Sequence, residues 1–221
     1  MGWLQVEDLE VRGLEPVRFE LGAGEVAVVR GSSGSGKSLL LRALADLDAV
    51  AGTVRLGETE RAQISGPEWR RAVGLVAAEP GFWAETVAEH FLDWSAQEPG
   101  LRALGLDPSS GDQDSGGTNL GRKPVEQLSS GEAQRIALLR ALEREPSVLL
   151  LDEPTRSLDP ETTAAVERMV TDWCRHGGLR GDRAVLWVTH DPAQASRLAH
   201  RALTVAQGRV VAESFGGGAT G

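Results

Sequence analysis

The chain has 221 residues, of which 41% are hydrophobic, and this suits one α/β domain with an inserted subdomain. A formal net charge of −9 repels nucleic acid and anionic lipid headgroups, and the apolar runs are too short to cross a bilayer, so we expect no nucleic acid partner and no direct membrane insertion. The single cysteine excludes an intrachain disulfide and, with no secretory leader pattern at the N-terminus, favours a cytoplasmic location.

The first element in chain order is a β-branched run, 25–30, followed by a glycine-rich turn and a helix-favouring stretch, 37–47. The turn reads GSSGSGKS, which matches the phosphate-loop pattern in the strand–loop–helix context that this pattern requires. A plain glycine-rich turn with an exposed lysine would leave the full match unexplained. The residues that we expect to bind phosphate are Gly31, Ser32, Ser33, Gly34, Ser35, Gly36, Lys37 and Ser38.

Each part of this loop has a chemical role. The glycines let backbone N–H groups converge on phosphate oxygens at a helix N-terminus, where the helix dipole favours an anion. Lys37 is expected to hold the β- and γ-phosphates, and the Ser38 hydroxyl to ligate Mg²⁺. The predicted ligands are therefore ATP and Mg²⁺.

The middle of the chain differs in character from the strands around it. Residues 83–106 favour helix, 107–123 are rich in Gly, Ser and Asp and predict a mobile loop, and 131–144 predict a helix. The segment LSSGE at 128–132 opens that last helix, and its Ser129 and Glu132 have the spacing of a capping box. A capped helix N-terminus is also an anion site, so a structural and a functional role are compatible.

Two later apolar runs end in polar residues. Residues 147–151 are followed by Asp152, Glu153 and a proline, and 183–188 by Thr189, His190 and Asp191. Short, fully apolar strands indicate a buried parallel sheet, in which the ligand crevice lies beyond the carboxyl ends of the strands. We expect Asp152 to hold Mg²⁺ and Glu153 to activate water, although two carboxylates before a proline also suit a strand cap.

The phosphate loop, LSSGE, LLLDEP, the tripeptide SLD at 157–159 and the late Thr-His-Asp follow one another in an order that resembles the nucleotide-binding domain of an ABC ATPase. The resemblance implies an α/β fold: a P-loop NTPase core with a mainly parallel sheet, an N-terminal antiparallel β element and an inserted helical subdomain. It places the core at 1–80 and 145–215 and the helical subdomain at 81–144. We expect a disordered tail at 216–221.

The resemblance also implies roles that the residues alone do not establish. Two copies would sandwich ATP as a homodimer, so that Ser129, Ser130, Gly131 and Glu132 of one copy face the γ-phosphate held by the other. Asp159 would belong to the loop that links the two sites, and His190 would contact γ-phosphate and steady Glu153. Asp159 before Pro160 is equally an ordinary helix N-cap, and a lone histidine after a strand is more often a turn residue.

Three positions depart from the family pattern. Ala78 stands where the family has a glutamine that contacts Mg²⁺ and the attacking water, so we expect weaker Mg²⁺ coordination or slower hydrolysis unless Glu79 substitutes. The chain has no tyrosine, and Arg12 occupies the stretch of the usual adenine-stacking ring, where a guanidinium plane can stack. Leu39 replaces a common hydroxyl residue after Ser38, which removes one hydrogen bond to the α-phosphate.

The predicted function is the energy-coupling subunit of a transporter whose integral membrane permease is a separate protein, with Trp83, Phe91 and Trp94 either docking on that partner or packing the helical subdomain. The segments WAETVAEHF and AVLWVTHD resemble ATP-binding subunits of bacterial iron-export permeases, which would make the transport metal export. A soluble ABC ATPase of an assembly system, such as iron–sulfur cluster biogenesis, would share every motif. A P-loop kinase would leave LSSGE unexplained.

Overall fold

A six-stranded central sheet organises the computed structural model, which describes residues 3–109, 119–177 and 183–214. The strand order is β10-β9-β3-β8-β7-β6, and every neighbouring pair is parallel except the β9–β10 hairpin. The carboxyl ends of β3, β7 and β8 therefore meet at one edge. The strands are β3 (Val26–Arg30), β6 (Val73–Val76), β7 (Val148–Asp152), β8 (Ala184–Val188), β9 (Arg201–Ala206) and β10 (Arg209–Ser214).

A smaller antiparallel sheet is built mostly from the N-terminal segment, in the order β2-β1-β4-β5. Alternate residues of β2 are buried, as the two-residue period of a half-exposed strand requires. The strands are β1 (Leu4–Leu9), β2 (Val17–Leu21), β4 (Thr53–Leu56) and β5 (Thr59–Glu60).

Helices cover both faces of the central sheet, so each face has its own hydrophobic core. Along β3, Ala27 and Val29 face a core shared with the antiparallel sheet, whereas Val26 and Val28 face a core shared with the later helices. Burial on both faces explains why these strands are apolar throughout. The helices are α1 (Lys37–Leu44), α2 (Gly66–Ala72), α3 (Glu98–Ala103), α4 (Ser130–Glu143), α5 (Pro160–Arg175) and α6 (Pro192–Leu198).

The prediction that 83–106 is helical is wrong for most of that stretch, which contains only α3 and the 3₁₀ turns Ala88–His90 and Ser95–Gln97. Polar side chains here bond to nearby backbone N–H groups and compete with helix formation. The buried His90 ring accepts hydrogen bonds at Nε2 from the backbone N–H groups of Trp83 (2.9 Å) and Ala84 (3.1 Å). The Asp93 carboxylate accepts one from the Ser95 N–H at 2.9 Å.

The predicted α/β fold class is confirmed, with a mainly parallel central sheet, an antiparallel N-terminal sheet and an inserted helical region. Most of the predicted loop at 107–123, and the tail at 216–221, lie outside the described residues. Within the three described ranges, no helix has both the length and the apolar character that crossing a membrane requires.

Candidate nucleotide-binding site

The glycine-rich loop follows β3 and ends at Gly36, the N-cap of α1. Gly31 has φ +154°, and a Cβ there would overlap the Val205 carbonyl and lie 2.7 Å from Ser35 Oγ. Gly36 has φ +104°, and its Cβ would lie 3.1 Å from the Leu14 side chain. Both positions therefore favour glycine. No described side chain caps α1, so its first N–H groups remain available to an anion.

Lys37 lies under the loop and helps to hold its shape. Its ammonium donates hydrogen bonds to the carbonyls of Gly31 and Ser32, each at 2.9 Å, and the residue is 6% exposed. Burial lowers the pKa of Lys37, while the charges of Glu153 and Asp152 partly oppose that shift. The lysine is thus held by the loop itself, beside the carboxylates predicted to share its site.

The structure brings together Glu153 and His190, which follow the adjacent parallel strands β7 and β8. His190 Nε2 lies 2.9 Å from Glu153 Oε1, within the range of an ion pair. Glu153 adopts φ +50°, a left-handed conformation that is uncommon outside glycine, and its N–H donates to the Val188 carbonyl at 3.2 Å. Strain of this kind often accompanies a functional site.

A pocket of about 190 Å³ joins these groups to the phosphate loop. Asp152 is 8% exposed, and its negative charge acts to raise the pKa of Lys37. The exposed Ser38 hydroxyl and this carboxylate supply oxygen atoms, the ligand type that Mg²⁺ prefers, so the residues present fit a magnesium ion. The pocket is lined by Ser33, Gly34, Gly36, Lys37, Ser38, Leu39, Glu153 and His190.

The LSSGE segment does not contribute to this pocket. Ser129 caps α4 by accepting the Glu132 N–H at 3.2 Å, and the Glu132 carboxylate accepts the Ser129 N–H at 2.8 Å, which completes the expected capping box. The side chains of Ser129 and Ser130 are exposed, whereas Gly131 packs against Leu158, where a Cβ would lie 3.0 Å from the leucine. Among the described residues, this segment is absent from the pocket lining.

Asp159 serves as the N-cap of α5, as one of its two interpretations predicts. Its Oδ1 accepts the backbone N–H groups of Glu161 at 3.0 Å and Thr162 at 2.9 Å. The hydrogen bond from the Thr162 backbone, with one from the Thr162 hydroxyl, lowers the pKa of the Asp159 carboxyl. Its predicted role in linking two sites stays a prediction.

Two residues near the site were not foreseen. Arg12 is exposed, and it is Leu14, two residues later, that contacts the phosphate loop at Gly36. Ala78 and Glu79 are exposed, and Gln134 of α4 donates from Nε2 to the neighbouring Ala77 carbonyl at 3.3 Å. The Gln134 contact joins positions 57 residues apart, so no local sequence pattern could have revealed it.

The three aromatic residues singled out above, Trp83, Phe91 and Trp94, divide between the two predicted roles. Phe91 and Trp94 are partly buried and pack edge to face at 5.2 Å between ring centroids. Trp83 is 65% exposed, lies on the His90 ring at 4.7 Å, and carries the Arg140 guanidinium 4.6 Å from its ring centroid. Packing therefore accounts for Phe91 and Trp94, whereas Trp83 is largely exposed.

The fold and the phosphate pocket together define a P-loop ATP-binding domain. A protein family described as ABC transporter matches residues 14–156. The phosphonates import ATP-binding protein PhnC 1 of Rhodopseudomonas palustris is 32% identical over 242 residues, with 98% of this chain and 83% of the relative covered. The chain belongs to the ABC transporter family and is an ATP-hydrolysing, ATP-binding subunit.

Other comparisons agree. The aliphatic sulfonates import ATP-binding protein SsuB 2 of Pseudomonas syringae is 35% identical over 206 residues, which are 90% of this chain and 66% of the relative. A structure described as the ATP-binding subunit of an ABC transporter superposes with a TM-score of 0.80 at 25% identity, covering 96% of this chain and 90% of the other. The dimeric post-hydrolysis cassette MJ0796, bound to ADP and Pi, shares the fold with a TM-score of 0.75 at 22% identity over 97% of this chain and 99% of the other.

Proposed function

We propose that this subunit hydrolyses ATP as a homodimer in which the LSSGE segment of each copy closes the phosphate pocket of the other. The observation that carries the proposal is the separation of the two halves within one chain: Lys37, Glu153 and His190 share a pocket, and the exposed Ser129 and Ser130 are absent from its lining. The Ser129 oxygen accepts the Glu132 N–H, and the Ser129 and Ser130 side chains are exposed, so both lie at a surface that a second copy can approach.

The proposed chemistry follows from the groups that line the pocket and from two predicted site residues outside its lining, Asp152 and Arg12. Bound Mg²⁺ supplies charge neutralisation on the phosphates, and Ser38 and Asp152 are the residues that would hold it. Lys37 holds the β- and γ-phosphates, Leu39 lines the wall beside Ser38, and Arg12 is the proposed contact to the adenine base. Glu153 accepts a proton from the attacking water, and the His190 ring, with Nε2 at 2.9 Å from Glu153 Oε1, keeps that carboxylate oriented.

The proposed partner is an integral membrane permease, which would place the subunit at the inner face of the cell membrane. The exposed Trp83, held between His90 and Arg140, supports a protein contact, since aromatic rings fixed at a surface are typical interface anchors. The named relatives are importers of phosphonates and aliphatic sulfonates, which supports import over the metal export expected from the iron-permease resemblance. Stable co-purification with soluble scaffold proteins instead would favour the assembly-system alternative.

The dimer is tested with Glu153→Gln, which keeps the shape of the side chain and removes the proton acceptor. We expect this variant to bind ATP and to elute as a dimer from size-exclusion chromatography in Mg-ATP. The double variant Glu153→Gln with Lys37→Ala, which also loses the phosphate contact, is the control and should remain monomeric. A Glu153→Gln protein that stays monomeric with ATP demonstrably bound would contradict the shared site.

A further inference from the structure

A partly buried polar network connects the two loops that carry Glu153 and His190, and none of its members lines the phosphate pocket. The Gln194 amide of α6 donates from Nε2 to Thr155 Oγ1 at 3.0 Å and to Glu167 Oε1 of α5 at 2.9 Å. Arg197 completes the network with a bond from Nη2 to Glu167 Oε1 at 2.9 Å. Three segments that are separate in sequence thus meet at the Gln194 amide.

Burial makes this arrangement specific. Gln194 is 2% exposed and Glu167 is 9% exposed, so neither side chain can readily exchange its bonds for water. The Glu167 carboxylate is fully paired with Gln194 and Arg197 and, when ionised, only accepts hydrogen bonds. The Gln194 amide must therefore present its NH₂ group to Glu167, and Thr155 Oγ1 lies 3.0 Å from the amide Nε2 and 3.4 Å from its Oε1.

The network reaches the predicted reaction centre through short stretches of backbone. Thr155 lies two residues after Glu153, inside a turn that the Arg156 N–H closes on the Glu153 carbonyl at 3.2 Å. Gln194 lies in the first turns of α6, which begins two residues after His190 and is capped by Asp191 through the Ala193 N–H at 2.9 Å. The two loops are thus joined once by Glu153 and His190 and once by Thr155 and Gln194.

We propose that Thr155, Gln194 and Glu167 are positioning residues that maintain the contact between Glu153 and His190, and thereby the rate of ATP hydrolysis, without touching nucleotide. The inference rests on the roles proposed above for Glu153 and His190. When Thr155 releases Gln194, the loop after β7 and the start of α6 lose their second connection, and the carboxylate is no longer held in one orientation. A displacement of about 1 Å at a reacting group can slow catalysis by about 100-fold.

The test uses substitutions that preserve size. Thr155→Val removes only the hydroxyl, Thr155→Ser retains it, and Gln194→Met removes the amide. We expect Thr155→Val and Gln194→Met to lower kcat by about 10-fold or more with KM for ATP nearly unchanged, and Thr155→Ser to restore the wild-type rate. Gln97→Met is the matched control, because it removes a similar amide–carboxylate bond, to Glu143 at 2.9 Å, within the helical region.

A double-mutant cycle separates positioning from general stability. If Thr155 acts through His190, Thr155→Val should slow the His190→Ala variant by less than about 2-fold, since the contact is already lost. The inference is overturned if the two effects multiply, or if Gln97→Met lowers kcat as much as Gln194→Met at an equal loss of thermal stability. A His190→Ala variant with wild-type kcat would refute the proposed role of His190. A slow His190→Ala beside a fully active Thr155→Val would refute only the positioning role.

Discussion

Two helices of this protein begin in a segment of glycine and serine, but only the second of them has an N-terminus capped by described side chains. At α1 the glycines Gly31, Gly34 and Gly36 all have positive φ, and no described side chain caps the helix. At α4 the Ser129 and Glu132 side chains form a full capping box, and Lys123 binds Glu132 at 3.0 Å. The first N-terminus presents bare backbone N–H groups, whereas the second presents exposed serine hydroxyls.

The surroundings of the two helix ends differ in the same sense. Lys37, Glu153 and His190 lie around the first and form a concave pocket, while α4 opens at a surface where Gly131 packs on Leu158. An uncapped end inside a pocket suits a buried anion, and a capped end at a surface suits contact with something outside the chain. This difference is the physical basis for proposing that the N-terminus of α4 in one copy closes the pocket at the N-terminus of α1 in a second copy.

The largest expected effect is functional complementation between inactive chains. Lys37→Ala and Ser130→Phe should each lower ATP hydrolysis by about 100-fold or more, because each removes stabilisation of the transition state. An equal mixture should recover about a quarter of the wild-type rate, because half of the twofold dimers are mixed and each of those contains one intact site.

The matched control for this experiment is a mixture of Lys37→Ala and Glu153→Gln. Both changes lie in the same half of the site, so a mixed dimer contains no intact site and should show no recovery. Equal recovery in both mixtures, or recovery in neither, would contradict the proposal that the N-termini of α1 and α4 come from different copies to form one site.

A smaller effect is expected from Gly36→Ala, which tests the uncapped end directly. A side chain at φ +104° and 3.1 Å from Leu14 should cost about 1–3 kcal/mol, shared between folding stability and ATP affinity. Urea unfolding and nucleotide titration measure the two parts. Gly81→Ala, where open space surrounds the added methyl group, is the control, and an equal effect of both substitutions would show that the loop geometry is not under strain.

Ala78→Gln tests the departure from the family pattern on the loop after β6. Ala78 is exposed, so the larger amide has room, and we expect an increase in apparent Mg²⁺ affinity of about 10-fold. The measurement is the ATPase rate across a Mg²⁺ titration. Glu79→Gln run in parallel reports whether Glu79 substitutes as an oxygen ligand; identical titrations for all three proteins would mean that neither position contacts the metal.

The smallest expected effect is a shift in the pH dependence of ATP affinity. Burial lowers the pKa of Lys37, and Glu153 is the larger of two charges that oppose this. Since phosphate favours the ammonium form, affinity should fall as pH rises through the pKa of Lys37, and Glu153→Gln should move that fall to lower pH. Fluorescence titration between about pH 7 and 10 would measure it, with Glu98→Gln as the surface control.

Local sequence patterns predict the features of this protein that depend on neighbouring residues or on regular strand geometry, and they fail where tertiary contacts decide. The phosphate loop and the Glu153 and His190 positions were predictable, because the loop residues are contiguous and the ends of parallel strands meet at one sheet edge. The stretch 83–106 was mispredicted, because helix propensity there is overridden by side chains such as His90 that bond the backbone. That competition depends on the burial of His90, which the sequence of the segment alone does not reveal.

By itself the sequence determined the family to which the chain belongs and predicted which residues bear the chemistry, since both depend on residue type and spacing. Only the tertiary structure decided that Trp83 is exposed while Phe91 and Trp94 are packed. It also decided that Gln194 meets Thr155 and Glu167 from a third segment. Those contacts join positions 27 and 39 residues apart, and which side chains meet across such gaps is determined by how α5 and α6 pack on the same face of the central sheet.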